Sequence, residues 1–268
     1  MTDLIDLGDG RWRCGTTGLV LVRTPPHPLY RVFQTQYSAL NPRIPPDDPT
    51  AWSRFDVPDA VTLYGADEEV AAICEVLAYA KPADLRLHEI FSDLVPDADP
   101  VGDEWQELGH MQRGQIARSW RVARQVTTIT AKAAAGKWCV DLLHGESIEA
   151  LRAEVATWSP GPELVEDPLK VDVSLLTSGR REITTAAASW VSRRTLCDGS
   201  IPAGIRFGSK HGANYVCWAL WVPLLGTTDQ SHVPGLASKR VTAGKSHKLL
   251  ENFPALRKAA SILRVRVH

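Results

Sequence analysis

The spacing of hydrophobic and polar positions changes along the chain and predicts both strands and helices. Residues 29–33 alternate apolar and polar side chains, which is typical of a strand with one buried face. Similar short apolar stretches predict further strands at 61–64, 125–130, 138–143, 205–209 and 215–222. Apolar positions at helical spacing predict helices over 70–77, 116–123 and 181–194, and another from residue 147 onward.

The segment from Arg54 to Glu75 contains a predicted strand followed closely by a predicted helix. Gly65 is expected to end the strand. The acidic residues at 67 and 68 suit the first turn of the helix, because the helix dipole favours negative charge there. Arg54, Tyr64 and Glu75 would then lie on three consecutive short elements.

Glu75 lies beside the apolar stripe of this helix and has no basic residue at helical spacing. The positions three and four residues away hold Ala71, Ala72, Ala78 and Tyr79, none of which can form an ion pair with it. An exposed glutamate on a solvated helix usually has charged neighbours, whereas a glutamate framed by alanines can face a cleft. From this helix alone, a partly exposed glutamate and a cleft carboxylate are both open.

The composition limits the class of protein. The 268 residues suffice for one large or two small domains, and the formal net charge of −1 calls for neither nucleic acid nor an acidic membrane as partner. No stretch approaches the roughly 20 apolar residues that span a bilayer, and the N-terminus does not resemble a secretory signal. The 5 scattered cysteines never form a C-x-x-C pair, so a cytoplasmic location is predicted, with neither a disulfide framework nor a zinc site.

The C-terminal part contains a phosphate-loop-like pair and many basic residues. Gly244-Lys245 resembles the end of a phosphate-binding loop, but the position where that motif needs its first glycine holds Lys239. After residue 225 the chain is rich in lysine and arginine, yet Phe253 is its only aromatic residue. Nucleic-acid binding usually interleaves basic and aromatic side chains, so direct binding by this tail is a weak interpretation.

Ser209 and His211 together suggest a serine hydrolase. A nucleophile elbow, however, needs glycine two residues before and two residues after the serine. This chain has Phe207 and His211 at those positions, which favours a serine in a strand-to-loop corner over a hydrolase nucleophile.

A set of separated polar groups remains: Arg31, Arg54, Tyr64, Glu75 and Ser209. Two arginines can hold a diphosphate, because each guanidinium presents a planar fork of donors. A tyrosine can stack on an aromatic ring while donating a hydrogen bond. A carboxylate can bind ribose hydroxyls or stabilise a developing oxocarbenium charge. The combination suits a dinucleotide with a labile N-glycosidic bond, although it is not specific for one.

Several short stretches, in order, resemble the RES domain, a family named for its arginine, glutamate and serine. They are Tyr30-Arg31-Val32-Phe33, Arg54-Phe55, 61–66, Glu75-Val76-Leu77, 116–120, 140–143, the helix around Trp190, 204–212 and 217–221. The resemblance rests on the order and spacing of these stretches rather than on one motif. It divides the chain into an N-terminal extension (1–28), a RES domain with an enlarged middle segment (29–222) and a basic C-terminal tail (223–268).

The resemblance implies an α/β (α+β) fold with a mixed sheet, similar to the ADP-ribosyltransferase toxins. It also implies an enzyme that consumes NAD as its substrate, without a metal or cofactor, by cleaving the nicotinamide–ribose bond with water or phosphate. Members of the family are typically toxins that a helix-turn-helix antitoxin neutralises. A homo-oligomer is compatible with this interpretation.

The family's residue roles are carried over by position. Arg31 and Arg54 would hold phosphates, and Tyr64 would pack near the nicotinamide ribose. Glu75 would orient or stabilise the ribosyl cation, and Ser209 would help to seat nicotinamide or the incoming phosphate. The predicted catalytic set is therefore Arg54, Tyr64 and Glu75, and the predicted NAD-binding set is Arg31, Arg54, Tyr64 and Ser209.

The chain departs from the family pattern near two of these residues. Trp52-Ser53 stands where the family commonly has paired glycines, so the pocket mouth is expected to be narrower or differently shaped. Lys210 stands where arginine is common, which keeps the charge and loses the bidentate fork. Two alternative functions stay open, namely ADP-ribosyl transfer to a macromolecule and a diverged interaction module without activity.

Overall fold

A computed structural model describes residues 3–40, 52–81, 114–224 and 239–268 of the chain. Within these ranges the strands are β1 Leu4–Gly8, β2 Arg11–Cys14, β3 Val20–Arg23, β4 Leu29–Gln34, β5 Ala60–Ala66, β6 Gln115–Ile116, β7 Arg124–Ala131, β8 Trp138–Asp141, β9 Gly204–Gly208, β10 Val216–Pro223, β11 Val241–Ala243, β12 His247–Lys248 and β13 Arg266–Val267. The six predicted strands correspond to β4, β5, β7, β8, β9 and β10.

The helices lie mainly in the second half of the chain. They are α1 Glu69–Leu77, α2 Arg118–Val122, α3 Gly145–Ala153, α4 Val155–Trp158, α5 Pro162–Glu166, α6 Val173–Leu176, α7 Arg181–Ser192 and α8 Pro254–Leu263, with 3-10 turns at Ala78–Ala80, Ala133–Ala135 and Pro168–Lys170. Among the described residues, no helix is long and apolar enough to cross a membrane. The helices predicted over 70–77, from 147 onward and over 181–194 are confirmed as α1, α3 and α7.

One large mixed sheet organises the fold. Its strand order is β1-β2-β3-β8-β9-β10-β5-β4-β7-β11, and β12 also pairs with β7. β8 and β9 are parallel, whereas β10 runs antiparallel to both β9 and β5. The predicted mixed α/β architecture is therefore confirmed, with strands from distant parts of the chain adjacent in its centre.

β5 continues through Gly65, so the prediction that Gly65 ends the strand was wrong. Gly65 lies opposite Trp218 in the ladder between β5 and β10. A Cβ atom at Gly65 would lie 3.0 Å from the Leu29 Cβ and 3.3 Å from the Tyr30 carbonyl oxygen of β4. Glycine stands here because β4 approaches the β5 backbone closely, and a side chain would push the two strands apart.

The helix that carries Glu75 is covered by the C-terminal part of the chain. α1 begins at Glu69, with Glu68 at the N-cap position without a side-chain hydrogen bond, so residues 67 and 68 precede the first turn in which they were expected. Ile73, Cys74 and Leu77 of α1 pack with Leu256 and Leu263 of α8 in one apolar cluster. Burial of these side chains fixes α1 from the side of α8 and leaves Glu75 on a different face.

The terminal segments belong to the same fold as the central region. β3 of the N-terminal extension pairs with β8, and β11 and β12 of the C-terminal tail pair with β7. The expected boundaries at residues 28 and 222 therefore separate sequence regions that share one sheet. Of the enlarged middle segment, residues 92–113 lie outside the described residues.

Candidate active site

A cavity of about 250 Å³ opens between central strands of the sheet and α1. Its walls come from strands β4, β5, β9 and β10, helix α1, the 3-10 turn Ala78–Ala80, the first residue of α7 and the loop before β5. The lining residues are Tyr30, Arg31, Val32, Ser53, Arg54, Tyr64, Gly65, Ala66, Ala72, Glu75, Val76, Tyr79, Arg181, Phe207 and Cys217. Four of the five predicted site residues are among them.

Both carboxylate oxygens of Glu75 accept hydrogen bonds from predicted site residues. Arg54 Nη2 donates to Glu75 Oε2 at 2.8 Å, and Ser209 Oγ donates to Glu75 Oε1 at 2.6 Å. The Arg54 and Glu75 side chains are 12% and 23% exposed, so their ion pair is partly shielded from water and screened less than a surface pair. The cleft interpretation of Glu75 is thus the one that the structure shows.

Ser209 is held by the corner that follows β9. Its main-chain N–H donates to the Tyr215 carbonyl oxygen at 2.9 Å, and its hydroxyl oxygen accepts from the His211 main-chain N–H at 3.1 Å. The residue is 8% exposed and is not one of the lining residues. Within the described chain, Ser209 therefore reaches the cavity through Glu75.

Arg54 is fixed by contacts on several sides of its guanidinium. Besides the ion pair with Glu75, Arg54 Nη1 donates to the Thr177 carbonyl oxygen at 3.4 Å. The guanidinium carbon lies 5.5 Å and 5.4 Å from the ring centroids of Phe55 and Phe207, within range of a cation–π attraction. These contacts hold one orientation of the arginine and, through it, of the Glu75 carboxylate.

Tyr64 faces the cavity and is anchored by its hydroxyl group. The hydroxyl donates to Asp56 Oδ1 at 3.0 Å and accepts from the Phe55 main-chain N–H at 3.0 Å. Burial, reinforced by the Asp56 charge, raises the pKa of Tyr64 well above its usual value. The phenol is therefore neutral at physiological pH, and its ring is available to pack against a ligand.

Asp56 also holds the loop that contains Trp52 and Ser53, where the chain departs from the RES family pattern. Its Oδ2 atom accepts from the Ser53 main-chain N–H at 2.8 Å, and Asp56 N donates back to the Ser53 carbonyl oxygen at 3.1 Å. Burial raises the pKa of the Asp56 carboxyl group. Ser53 lines the cavity, so this closed turn forms part of its wall.

Arg31 lines the cavity and also links β4 to neighbouring backbone. Arg31 Nε donates to the Ala39 carbonyl oxygen at 3.1 Å, and Arg31 Nη1 donates to the Tyr64 carbonyl oxygen at 3.0 Å. Burial lowers the pKa of the guanidinium to about 10, which leaves it charged at neutral pH. Arg31 therefore positions the strand that carries Tyr64.

Two further residues near the site were not among the predicted NAD-site residues. Arg181 lines the cavity from the start of α7, but in the sequence it is only the first residue of an amphipathic helix. His211 is half-buried, and burial lowers the pKa of its imidazole while Glu75 raises it. Its main-chain N–H is the group that contacts the Ser209 hydroxyl, which differs from the imidazole–hydroxyl pair of a serine hydrolase.

Metal-ligating side chains do not converge in the part of the chain that the structure describes. No group of three or more histidine, cysteine, aspartate or glutamate residues lies close enough there to hold an ion. The five cysteines are free thiols.

Comparison with solved structures gives a structural neighbour of low sequence identity. No family model and no curated protein matches the chain. Among solved structures, a chain of the crystal structure of the M. tuberculosis MbcT-MbcA toxin-antitoxin complex aligns with a TM-score of 0.43 and 15% identity, covering 89% of this chain and 88% of that chain. The RES resemblance remains a prediction from the residues.

Proposed function

We propose that this protein is a RES-type toxin that consumes NAD by cleaving the bond between nicotinamide and ribose. The observation that carries the proposal is the Glu75 carboxylate, which faces a cavity of about 250 Å³ while Arg54 and Ser209 fix its two oxygens. The RES resemblance, which includes these residues, supports the same activity.

Cleavage of the nicotinamide–ribose bond is favoured by a fixed negative charge beside the ribose. When the C1′–N bond breaks, its electron pair goes to the pyridinium nitrogen and neutralises nicotinamide. Positive charge then develops on the ribose, where a preorganised carboxylate stabilises it more than it stabilises the starting NAD. Water or phosphate adds at C1′ and the acceptor's proton passes to solvent. In this mechanism Glu75 is the catalytic carboxylate.

The other residues orient Glu75 and the dinucleotide. Arg54 and Ser209 keep the carboxylate from rotating, which preserves its alignment with the ribosyl cation. The ring of Tyr64 supplies a flat wall against which the nicotinamide riboside end can pack. Its neutral hydroxyl is bound to Asp56, so Tyr64 acts here through packing rather than by transferring a proton.

Phosphate binding by Arg31 and Arg54 is compatible with their protein contacts. A guanidinium carries five N–H donors, and the contacts described above use two donors of each arginine. In this proposal the remaining donors are available to the diphosphate. NAD is thus the substrate, with water or phosphate as the acceptor and no metal or further cofactor in the reaction.

A toxin of this kind acts in the cytoplasm and requires a neutralising partner. We propose that the partner is an antitoxin with a helix-turn-helix domain, as the RES resemblance implies. The partner rather than the toxin would then contact nucleic acid.

The activity is tested by incubating the purified protein with NAD, with and without inorganic phosphate, and following free nicotinamide by chromatography. Release of nicotinamide is expected, and the ribosyl product identifies the acceptor as water or phosphate. Labelled NAD in a cell lysate tests the alternative, because ADP-ribosyl transfer would instead give a modified macromolecule. Binding of NAD without any nicotinamide release would refute the enzymatic proposal and favour an interaction module.

A further inference from the structure

Arg181 differs from the other arginines of the cavity in its contacts. The Nη1 atom of Arg181 is buried and has no hydrogen-bond partner among the described residues. No carboxylate in that part of the chain lies within ion-pair distance of it. Arg31 and Arg54, in contrast, both donate to protein oxygens. Arg181 as a residue lines the cavity, and a buried guanidinium nitrogen without a protein acceptor beside a cavity is suited to an acceptor supplied by a ligand.

The charge of the cavity wall favours an anionic ligand. Three arginines and one glutamate line the cavity. Arg54 is neutralised by its ion pair with Glu75, so two positive charges, on Arg31 and Arg181, remain on the wall. Burial raises the pKa of Asp56 and the nearby Arg181 charge lowers it by a smaller amount, but both Asp56 oxygens already accept hydrogen bonds, from Tyr64 and from the Ser53 main-chain N–H.

The neighbouring Arg180 shows how an arginine at this point is paired when it faces outward. Its Nε and Nη2 atoms contact Glu182 and Glu163 at 2.9 Å and 3.3 Å, and its side chain is 43% exposed. Arg181 is the next residue of the chain, and it lines the cavity instead. The two adjacent arginines therefore provide a test position and a matched control.

We infer that Arg181 is a phosphate-binding residue of this cavity. The inference deepens the proposed function and rests on it for the source of the phosphate, which is either the diphosphate of the dinucleotide or the inorganic phosphate that serves as acceptor. In both cases the guanidinium would donate a charge-assisted hydrogen bond to a phosphate oxygen.

Binding is measured by calorimetry with ADP-ribose, inorganic phosphate and nicotinamide as separate probes. Arg181→Met keeps an unbranched stem and removes the charge, and Arg180→Met is the matched control. Arg181→Met is expected to lower the affinity for the phosphate-bearing probe roughly ten- to hundredfold, because it loses a hydrogen bond to a charged group. Arg180→Met is expected to bind all three probes like the wild type, and nicotinamide binding is expected to stay unchanged in both variants.

The probes distinguish the two sources of phosphate. If Arg181→Met loses affinity for ADP-ribose alone, Arg181 binds the diphosphate of the dinucleotide. If it loses affinity for inorganic phosphate alone, Arg181 binds the phosphate that serves as acceptor. Equal affinities of Arg181→Met and wild type for both probes, or a wild type that binds neither, would overturn the inference. A merely structural role would weaken nicotinamide as well, which would also count against it.

Arg181→Lys keeps the test decisive if the methionine variant does not fold. Lysine retains the positive charge but lacks the planar fork of guanidinium donors, so its affinity for the same probe is expected to fall by a smaller, severalfold factor. An unchanged affinity in a folded lysine variant, with wild-type salt dependence, would contradict a phosphate contact through the guanidinium. Nicotinamide release is followed separately, so a protein that binds ADP-ribose through Arg181 without cleaving NAD would refute the proposed function and leave this inference standing.

Discussion

Ser209 Oγ and Glu75 Oε1 lie 2.6 Å apart although 134 residues separate them in the chain. Because Ser209 does not line the cavity, the hydroxyl acts on the site by holding the carboxylate. The opposite carboxylate oxygen is bound by Arg54. The position of the negative charge is therefore set by two donors that come from the loop before β5 and the corner after β9.

Replacing Glu75 with glutamine is expected to reduce nicotinamide release roughly 100- to 1000-fold, because the isosteric amide carries no negative charge to stabilise the ribosyl cation. Turnover is measured with saturating NAD, and folding is checked by thermal melting. Glu149→Gln, at an exposed glutamate of α3, is the control and should retain full activity. Wild-type turnover in Glu75→Gln would remove this residue from its catalytic role.

Replacing Ser209 with alanine is expected to lower kcat roughly tenfold or more while KM for NAD changes little. The variant loses one hydrogen bond to a charged acceptor, and Ser209 contacts the carboxylate rather than the cavity. Steady-state kinetics separate the two parameters. A rise in KM with kcat intact would instead place the hydroxyl in direct contact with NAD.

Arg54 and Glu75 are expected to be energetically coupled in the folded protein. Arg54→Met leaves a partly buried carboxylate without its ion-pair partner, whereas the double variant Arg54→Met/Glu75→Gln has no unpaired charge. Urea unfolding should show that the double variant loses less stability than the sum of the single variants. The coupling is expected to be about 0.5–3 kcal/mol, and strict additivity would contradict a direct interaction.

Replacing Tyr64 with phenylalanine is expected to destabilise the fold by about 1–3 kcal/mol, because a buried oxygen of Asp56 and the Phe55 main-chain N–H each lose a partner. The aromatic ring remains, so nicotinamide release should persist in the folded variant. Urea unfolding and the nicotinamide assay test the two halves of this prediction. Complete loss of activity in a stable variant would indicate a chemical role for the hydroxyl.

Asp198 is expected to make a pH-dependent contribution to stability. The Ser200 hydroxyl, together with Trp138 and Lys137, holds the pKa of this carboxyl group well below its usual range. A lowered pKa in the folded state stabilises the fold above the unfolded pKa of about 4, and this contribution is lost as the pH falls through the folded value.

The comparison of wild type with Asp198→Asn isolates this contribution. The difference in the free energy of unfolding should be largest near neutral pH and shrink steadily below about pH 4. It is measured by urea unfolding at a series of pH values. A difference that grows on acidification would have the wrong sign and contradict the assignment.

The sequence predicted the central strands well because their apolar side chains follow the period of a strand. The prediction that Gly65 ends β5 was wrong because the cause of the glycine is a neighbouring strand: Leu29 and Tyr30 of β4 approach its backbone closely. The pairing of the terminal segments with β7 and β8 was also not predicted, since no local pattern specifies which strands become neighbours.

The same distinction between local and distant information applies to the site. The helix of Glu75 offers it no partner and left two interpretations open, and the RES resemblance then placed Glu75 in the site. The structure supplies its partners, Arg54 and Ser209. Arg181 was missed because an arginine at the start of an amphipathic helix looks the same whether it turns toward solvent or into a cavity. Only the packing of α7 against the rest of the fold separates those two cases.

The packing of α8 on α1 has a consequence for the order in which the site is made. The ribosome synthesises α1 long before α8, so the apolar side chains Ile73, Cys74 and Leu77 lack the cover of Leu256 and Leu263 while the chain is growing. The helix that bears Glu75 therefore reaches its final packing only after the C-terminal segment has left the exit tunnel. The Glu75 carboxylate would thus take its final position late in the synthesis of the chain.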